Sequence, residues 1–237
     1  MSEPVLKGTL PADLKARMKA SYDAIATTYN TKFYKVDDTL RTDYLGRLVT
    51  LLLSRKSSDA KPSFNVLELG CGAGVPATKF LLDNKDVNFT ITGNDISTSQ
   101  LDLARQNLAG YVNQGRLSLH EGDMLALSFP EETFDAITAF YSIIHLPRDE
   151  QTELMRMIGK WLKPGGYFLA NFSVRDMLGL EAERWLEHEQ GWMFWSGWGE
   201  EGSVKMVEGV GLKVLVKEVR QAVGDEAFVW VLAQKGG

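Results

Sequence analysis

Cysteine, histidine and basic charge are all scarce in this chain, and each scarcity removes a class of explanation. The single cysteine, Cys71, can form no internal disulfide, and no C-x-x-C pair exists to build a structural zinc site. A reducing, cytoplasmic compartment is the expectation that follows. The three histidines, His120, His145 and His188, lie far apart and no H-E-x-x-H pattern links them, so no metal is expected. No apolar run approaches the roughly 20 residues of a bilayer span. Met1-Ser2-Glu3-Pro4 offers neither a basic region nor an apolar one, and no signal peptide is expected. With 26 basic residues against 31 acidic ones the formal net charge is -5. Such a balance repels bulk nucleic acid, and no basic patch interleaved with aromatics suggests a strand-binding groove. Neither a repeat nor a low-complexity tract is present. No nucleic-acid partner and no membrane span are expected.

What remains is globular in balance, with 44% hydrophobic and 24% charged residues. Its length suits one domain that buries about two-thirds of the extended surface. Over 12–53 the spacing is helical. Leu14, Met18, Tyr22 and Ile25 recur every three or four residues, and Leu40, Tyr44, Leu48, Leu51 and Leu52 do so again. Thr27-Thr28-Tyr29-Asn30 reads as a break between two helices, and 54–63 as a polar joint. Strand runs then follow at Phe64–Leu69, Phe89–Gly93, Arg116–His120, Ala136–Phe140 and Tyr167–Asn171. Helical stretches at Val75–Leu82, Ser97–Ala109 and Glu150–Trp161 alternate with them. That rhythm predicts a parallel sheet covered by helices. Residues 173–203 interrupt it, with a helix expected around Asp176–His188. Leu212–Val219 and Ala227–Leu232 read as a closing hairpin about Gly224-Asp225.

The stretch Val66-Leu67-Glu68-Leu69-Gly70-Cys71-Gly72-Ala73-Gly74 ends a strand and opens a helix. Gly70 and Gly72 let a ligand approach the backbone, and Gly74 lets the helix pack closely. The G-x-G-x-G spacing is neither the dinucleotide fingerprint nor a P-loop. Glu68 would repel a pyrophosphate but suits a cationic or amino-bearing ligand. Alone it could equally be a turn carboxylate. Asp95 closes the next strand, 25 residues beyond Gly70, where a carboxylate can accept both ribose hydroxyls.

These residues resemble the class I S-adenosylmethionine-dependent methyltransferases, and among them the ubiquinone/menaquinone-type, small-molecule branch. Leu67–Gly74 is similar to the family's first motif, Gly93-Asn94-Asp95-Ile96-Ser97 to its second, and Glu121-Gly122-Asp123-Met124 to its third. Phe134-Asp135-Ala136-Ile137, leading to Phe140 and Tyr141, and Leu162-Lys163-Pro164-Gly165-Gly166 continue the series. The resemblance spans 64–172 by motif, and 12–50 and 205–233 by layout only. It implies S-adenosylmethionine as cofactor and S-adenosylhomocysteine as product. It also implies a Rossmann-like α/β fold of seven mostly parallel strands with the last antiparallel, N-terminal helices, and an aromatic insertion between the fifth and sixth strands. Residues 12–53 would form a cap, 64–172 the cofactor core and 173–203 an acceptor-side lid within one domain. Glu68, Gly70, Cys71 and Gly72 would hold the methionine part, Asp95 the ribose, and Ile96, Asp123 and Met124 the adenine. Gln100 and Phe140 would line the same site. Tyr22 and Tyr29, in the pattern Y-D-x-x-A-x-x-Y, would close over it, although periodicity alone allows Tyr22 to be core.

The family's core recognises only the cofactor, so the acceptor must be chosen elsewhere. Trp185, Trp192, Trp195 and Trp198 crowd one short segment with Met193 and Phe194. Glycines interrupt it, which favours a lid or pocket wall over a core helix, although aromatics also serve simply to glue a segment down. Trp192, Phe194, Trp195 and Trp198, with Phe33 and Tyr141, are the candidate acceptor contacts, and Tyr34 adjoins them. His145 follows the fourth core strand, where a neutral imidazole could take a proton from a hydroxyl, thiol or amine. It could instead support the loop. No Asn/Asp-Pro-Pro-Tyr/Phe tetrad follows that strand, which argues against methylation of a nucleobase amine. The expected reaction is methyl transfer to an O, N or S atom of a small metabolite. A protein or RNA methyltransferase and a non-catalytic cofactor-binding scaffold are the alternatives.

Overall fold

Central strands buried on both faces account for the frame of the molecule. The computed structural model describes residues 5–6, 10–33, 39–55, 61–221 and 226–237. Its elements run β1 (Val5–Leu6), α1 (Leu14–Phe33), α2 (Thr39–Ser54), β2 (Ser63–Leu69), α3 (Ala77–Leu82), β3 (Asn88–Asp95), α4 (Thr98–Asn107), α5 (Ala109–Asn113) and β4 (Leu117–Glu121). They continue β5 (Phe134–Ala139), α6 (Arg148–Trp161), β6 (Leu162–Ser173), β7 (Asp176–Glu183), β8 (Trp192–Trp198), α7 (Gly199–Glu208), β9 (Leu212–Gln221) and β10 (Ala227–Lys235). Seven strands form one sheet in the order β4-β3-β2-β5-β6-β10-β9. The first five are parallel, and β10 runs antiparallel to both its neighbours.

Alternation along each strand distributes the core. Phe64 and Val66 of β2 and Trp230 and Leu232 of β10 face a cluster built with Tyr44, Leu45 and Leu48 of α2. Their sequence neighbours Leu67, Leu69, Val229 and Val231 face the opposite cluster, with Leu154, Met155 and Ile158 of α6. Trp230 is fully buried and lies flat on Tyr44, with ring centroids 4.5 Å apart and planes within 6°. Ser97 caps α4, its hydroxyl accepting from the Gln100 N–H. Gly74 sits at φ +76°, and a Cβ there would come within 2.5 Å of Leu108, which fixes glycine where α3 leaves the loop.

The seven-stranded, mostly parallel architecture agrees with the expectation from sequence. Three local readings do not. Thr27–Asn30 is no break, because α1 runs unbroken from Leu14 to Phe33. The segment expected to be helical around Asp176–His188 is β7 followed by a short turn. With β1 and β8 it forms a second sheet in the order β1-β7-β8. Gly199–Ser203, read as the end of the insertion, opens α7, which runs on to Glu208. Tyr34 and the expected turn at Gly224-Asp225 lie outside the described residues.

A third cluster joins the small sheet to α1: Leu14, Met18 and Ile25 pack on Trp192, Met193 and Phe194. Arg148, at the start of α6, fastens the sheet from the other side. Its Nε donates to the carbonyls of Met177 and Gly197, at 3.1 and 2.9 Å, and its guanidinium pairs with Asp176 and lies over the Trp198 ring.

Candidate active site

The carboxyl ends of β2, β3, β4 and β5 open into one cleft, roofed by α1. In an open α/β sheet this is where ligands bind. Gly70 and Gly72 follow β2, Asp95 and Ile96 end β3, Gly122, Asp123 and Met124 follow β4, and Phe140, Tyr141, Ser142 and His145 follow β5. Leu14, Lys15, Met18, Tyr22 and Tyr29 of α1 complete the lining, with Gln100 of α4. A recess continues past Gly70 and is lined by Asn30, Phe33, Arg41, Glu68 and Cys71.

Asp95 is held by backbone. One carboxylate oxygen accepts the Gly72 N–H at 2.8 Å and the other the Ser97 N–H at 2.9 Å. Burial nevertheless pushes its pKa up to about 6, against those two bonds. Each oxygen keeps acceptor capacity. Glu68 is 4% exposed and accepts the Thr78 hydroxyl. Burial raises its pKa to about 7, opposed by that bond and by the charge of Arg41. Gly70 lies at φ +72°, and a Cβ would fall 2.3 Å from Ser142 Cβ. The glycine loop therefore rests directly on the turn after β5, where the Ser142 hydroxyl donates to the Leu69 carbonyl at 2.7 Å. Gln100 accepts from Asn30 Nδ2 at 2.9 Å, while its own buried Nε2 has no partner among the described residues. A buried amide nitrogen left without a partner is costly and points to a ligand acceptor.

The roof is pinned by ion pairs. Lys15 bonds Asp123 and Glu150, and Asp123 also accepts the Leu125 N–H at 3.0 Å. Lys19 reaches the Ile96 carbonyl, Thr98 and Glu121. Asp23 accepts the Ser97 hydroxyl and the Ser99 N–H.

At one end of the cleft stand Tyr22 and His145, with Tyr22 Oη and His145 Nε2 2.9 Å apart. His145 Nδ1 lies 2.7 Å from the Phe194 carbonyl. A carbonyl only accepts, so Nδ1 carries the proton and Nε2 is the lone-pair nitrogen that receives the Tyr22 hydroxyl. Burial lowers the imidazole pKa to about 4 and raises that of Tyr22. Around this pair Tyr22, Tyr29, Phe33, Trp185 and Trp195 form a continuous aromatic wall. Phe33 and Trp185 stack at 5.8 Å and 11°, and Trp195 lies 6.0 Å from Trp185 and 6.2 Å from His145.

The candidates drawn from the sequence thus fall into three groups. Tyr22, Tyr29, Gly70, Gly72, Asp95, Ile96, Gln100, Asp123, Met124, Phe140, Tyr141 and His145 line the cleft. Glu68, Cys71 and Phe33 line the recess. Trp192, Phe194, Trp195 and Trp198 reach neither. Trp192 is buried under Arg17 with its indole N–H on Glu181, Phe194 is fully buried, and Trp198 packs on Arg148. These three secure the small sheet, and only Trp195 stands behind His145. Lys15, Met18 and Arg41 were missed. Lys15 and Met18 lie seven and four residues before Tyr22, so helical spacing from Tyr22 places them on its face. Arg41 had no such signal, because it meets Glu68 only through the fold. His120 is exposed and His188 bonds its own turn. No cluster of metal-ligating side chains occurs among the described residues.

Residues 66–166 match the family described as Methyltransferase domain. The chain is 31% identical over 121 residues to a curated protein of Streptomyces halstedii, Methyltransferase GfsG, covering 51% of this chain and 42% of that one. It is 27% identical over 179 residues to the demethylmenaquinone methyltransferase of Desulfitobacterium hafniense (strain Y51), covering 73% and 68%. Among solved structures it resembles the 1,6-didemethyltoxoflavin-N1-methyltransferase of Burkholderia thailandensis, which holds 1,6-didemethyltoxoflavin and S-adenosylhomocysteine. The TM-score is 0.69 at 15% identity, over 100% of this chain and 97% of that one. The chain spans less than half the length of the first curated relatives it matches.

Proposed function

The fold is that of the class I S-adenosylmethionine-dependent methyltransferases, and on that premise we propose that the protein methylates an O, N or S atom of a small organic metabolite. One observation carries the reading. Glu68, Gly70, Gly72, Asp95 and Gln100 converge on one cleft and its recess, and the cleft ends at a neutral imidazole. The donor set suits the cofactor. Asp95 offers acceptors for ribose hydroxyls, and the unpartnered Gln100 amide is a spare donor. Glu68 and Arg41 meet the amino and carboxylate groups of an amino acid. Asp123 and Met124 take the adenine side, and α1 with Tyr22 and Tyr29 covers the site. The branch typified by ubiquinone and menaquinone is one place for the acceptor among several. The relatives named above include a toxoflavin-type N-methyltransferase as well as a demethylmenaquinone one.

S-adenosylmethionine supplies a methyl group already activated on a sulfonium. The chain's own residues position the acceptor, exclude water and receive a proton. Phe33 lines the recess, and Trp185 and Trp195 pack behind it, an apolar backing that suits a flat acceptor. Tyr141 borders the same end of the cleft. His145 Nε2 receives a proton through the Tyr22 hydroxyl, or directly from an acceptor that displaces it. A base this weak serves an acceptor atom that becomes acidic only as it gains the methyl group. We further propose a cytoplasmic monomer or homodimer, without nucleic-acid partners, in which α1 and the β7–β8 sheet act as the acceptor-side lid. The acidic balance and the lone, buried Cys71 support this. No helix among the described residues is long and apolar enough to cross a membrane.

Calorimetry with S-adenosylmethionine and with NADH tests the reading. Binding of the first and not the second is expected, and absence of binding by the first defeats it. Transfer of labelled methyl groups to lysate metabolites then identifies the acceptor.

A further inference from the structure

The small sheet has an edge that no strand covers among the described residues. β8 pairs with β7 on one side, and its other side faces the turn Ile143–His145 and the start of α6. Carbonyls two residues apart on a strand point the same way. On this edge they are those of Phe194 and Ser196, both fully buried residues. A buried carbonyl needs a donor, and side chains provide it. His145 Nδ1 lies 2.7 Å from the Phe194 carbonyl, and Gln151 Nε2 donates to the Ser196 carbonyl at 3.3 Å.

Gln151 is 1% exposed and does more than fill that place. Its Nε2 has two hydrogens, shared among the Ser196 carbonyl, Ser196 Oγ at 2.9 Å and the Leu146 carbonyl at 2.9 Å. The Ser196 hydroxyl in turn donates to the Leu146 carbonyl at 2.6 Å. Leu146 is the residue next to His145, and Ser196 stands two residues beyond Phe194. The triangle therefore joins the two chain segments immediately beside the imidazole–carbonyl bond.

We propose that Gln151 and Ser196 are positioning residues that set the register of β8 against the His145 turn, and so fix which imidazole nitrogen carries the proton. Its purpose rests on the methyl-transfer reading above; its geometry does not. A slip of one residue along β8 turns the Phe194 carbonyl away from Nδ1. The imidazole then loses the nearest carbonyl that holds its proton there, and keeps only the backbone of Tyr141 beside it. With the proton on Nε2, the nitrogen facing Tyr22 becomes a donor and can no longer receive one. A backbone carbonyl in the insertion thereby decides the chemistry of a side chain in the core.

Long-range proton–nitrogen NMR on the full chain, labelled at histidine, reads the protonated ring nitrogen without knowledge of the acceptor. His145→Gln assigns the signal among the three histidines. The wild-type ring is expected as one tautomer, protonated at Nδ1. Ser196→Ala and Gln151→Leu are expected to lose that single pattern, with an Nε2–H form appearing, and Ser196→Thr to restore it. A wild-type ring protonated at Nε2 overturns the proposal, and this reading needs no variant to fold. An unchanged tautomer in folded Ser196→Ala overturns it too. Calorimetry on the same samples separates the two readings. If the wild type does not bind S-adenosylmethionine, the methyl-transfer reading falls while the tautomer result still decides the clamp.

Discussion

Asp95 has both oxygens engaged by backbone N–H groups and keeps lone pairs turned to the cleft. Asp95→Ala removes an acceptor that charge-assisted bonds to ribose would use. It also strands the Gly72 N–H. At about 1.5–3 kcal/mol for a charged hydrogen bond, affinity for S-adenosylmethionine should fall by ~10- to 100-fold in calorimetry. Unchanged affinity would remove Asp95 from the ribose role. His145→Gln keeps a polar side chain of similar reach but no base. Turnover on the identified acceptor should drop by about 10²-fold or more, with cofactor affinity unaltered. Equal losses in both would mean that the imidazole supports the loop instead. Tyr22→Phe distinguishes the routes for the proton. If the hydroxyl relays it, this variant resembles His145→Gln; if the acceptor displaces the hydroxyl, turnover survives.

At the scale of elements, α1 illustrates how tertiary contacts override local preference. Thr27-Thr28-Tyr29-Asn30 is poor helix sequence, yet Asn30 donates to the Ala26 carbonyl and to Gln100, and Lys19 and Asp23 bind the carboxyl ends of β3 and β4. Lys19→Ala with Asp23→Ala should loosen this roof without unfolding the sheet. Amide hydrogen exchange should then rise along 14–33 and stay unchanged in β2 and β5. The sheet itself was legible because its central strands are apolar on both faces and its turns carry glycine and acidic motifs at fixed positions. β7 and β8 were not. Asp176–Glu183 becomes a strand by pairing with Trp192–Trp198 across a turn, and periodicity carries no record of such a partner. α7 was hidden by Gly199 and Gly202, both helix-weakening. The strand ends that line the cleft were readable as ordered motifs. The place of the tryptophans was not, since whether one faces the cleft or the core depends on the register of that unpredicted sheet. Trp230→Ala addresses a core contact of the last strand. It should cost about 3–5 kcal/mol in chemical denaturation, and a loss below ~1 kcal/mol would show that the stack on Tyr44 is not structural.

For the whole molecule, burial makes stability depend on pH in the absence of ligand. Glu68 and Asp95 have folded pKa values raised to about 7 and about 6. Between pH 5 and 6 the folded form holds more protons on them than the unfolded form, so each lowers stability as pH rises. His145, lowered to about 4, does the reverse, since the unfolded imidazole protonates first as pH falls. Two groups against one leave a net fall in stability as pH rises across that window, on the order of 1 kcal/mol per pH unit. Glu68→Gln should bring the slope near zero, and His145→Gln should steepen it, as read by denaturation midpoints at constant ionic strength. A wild-type protein whose stability rises from pH 5 to 6 would contradict the burial of these carboxyls.

The order of strands has a consequence for synthesis. β10 is made after β9 but lies inside the sheet, between β6 and β9, and brings Trp230 into the core. A nascent chain that already contains every cofactor motif still lacks the strand that joins β9 to the rest. The glycine loop can thus form early, but a closed sheet must wait for residues 227–235. Until then the inner edge of β6 is an unpaired template for other chains. A ribosome stalled before residue 227 should therefore hold a protease-sensitive, aggregation-prone intermediate, one that gains protection only when the final strand is released.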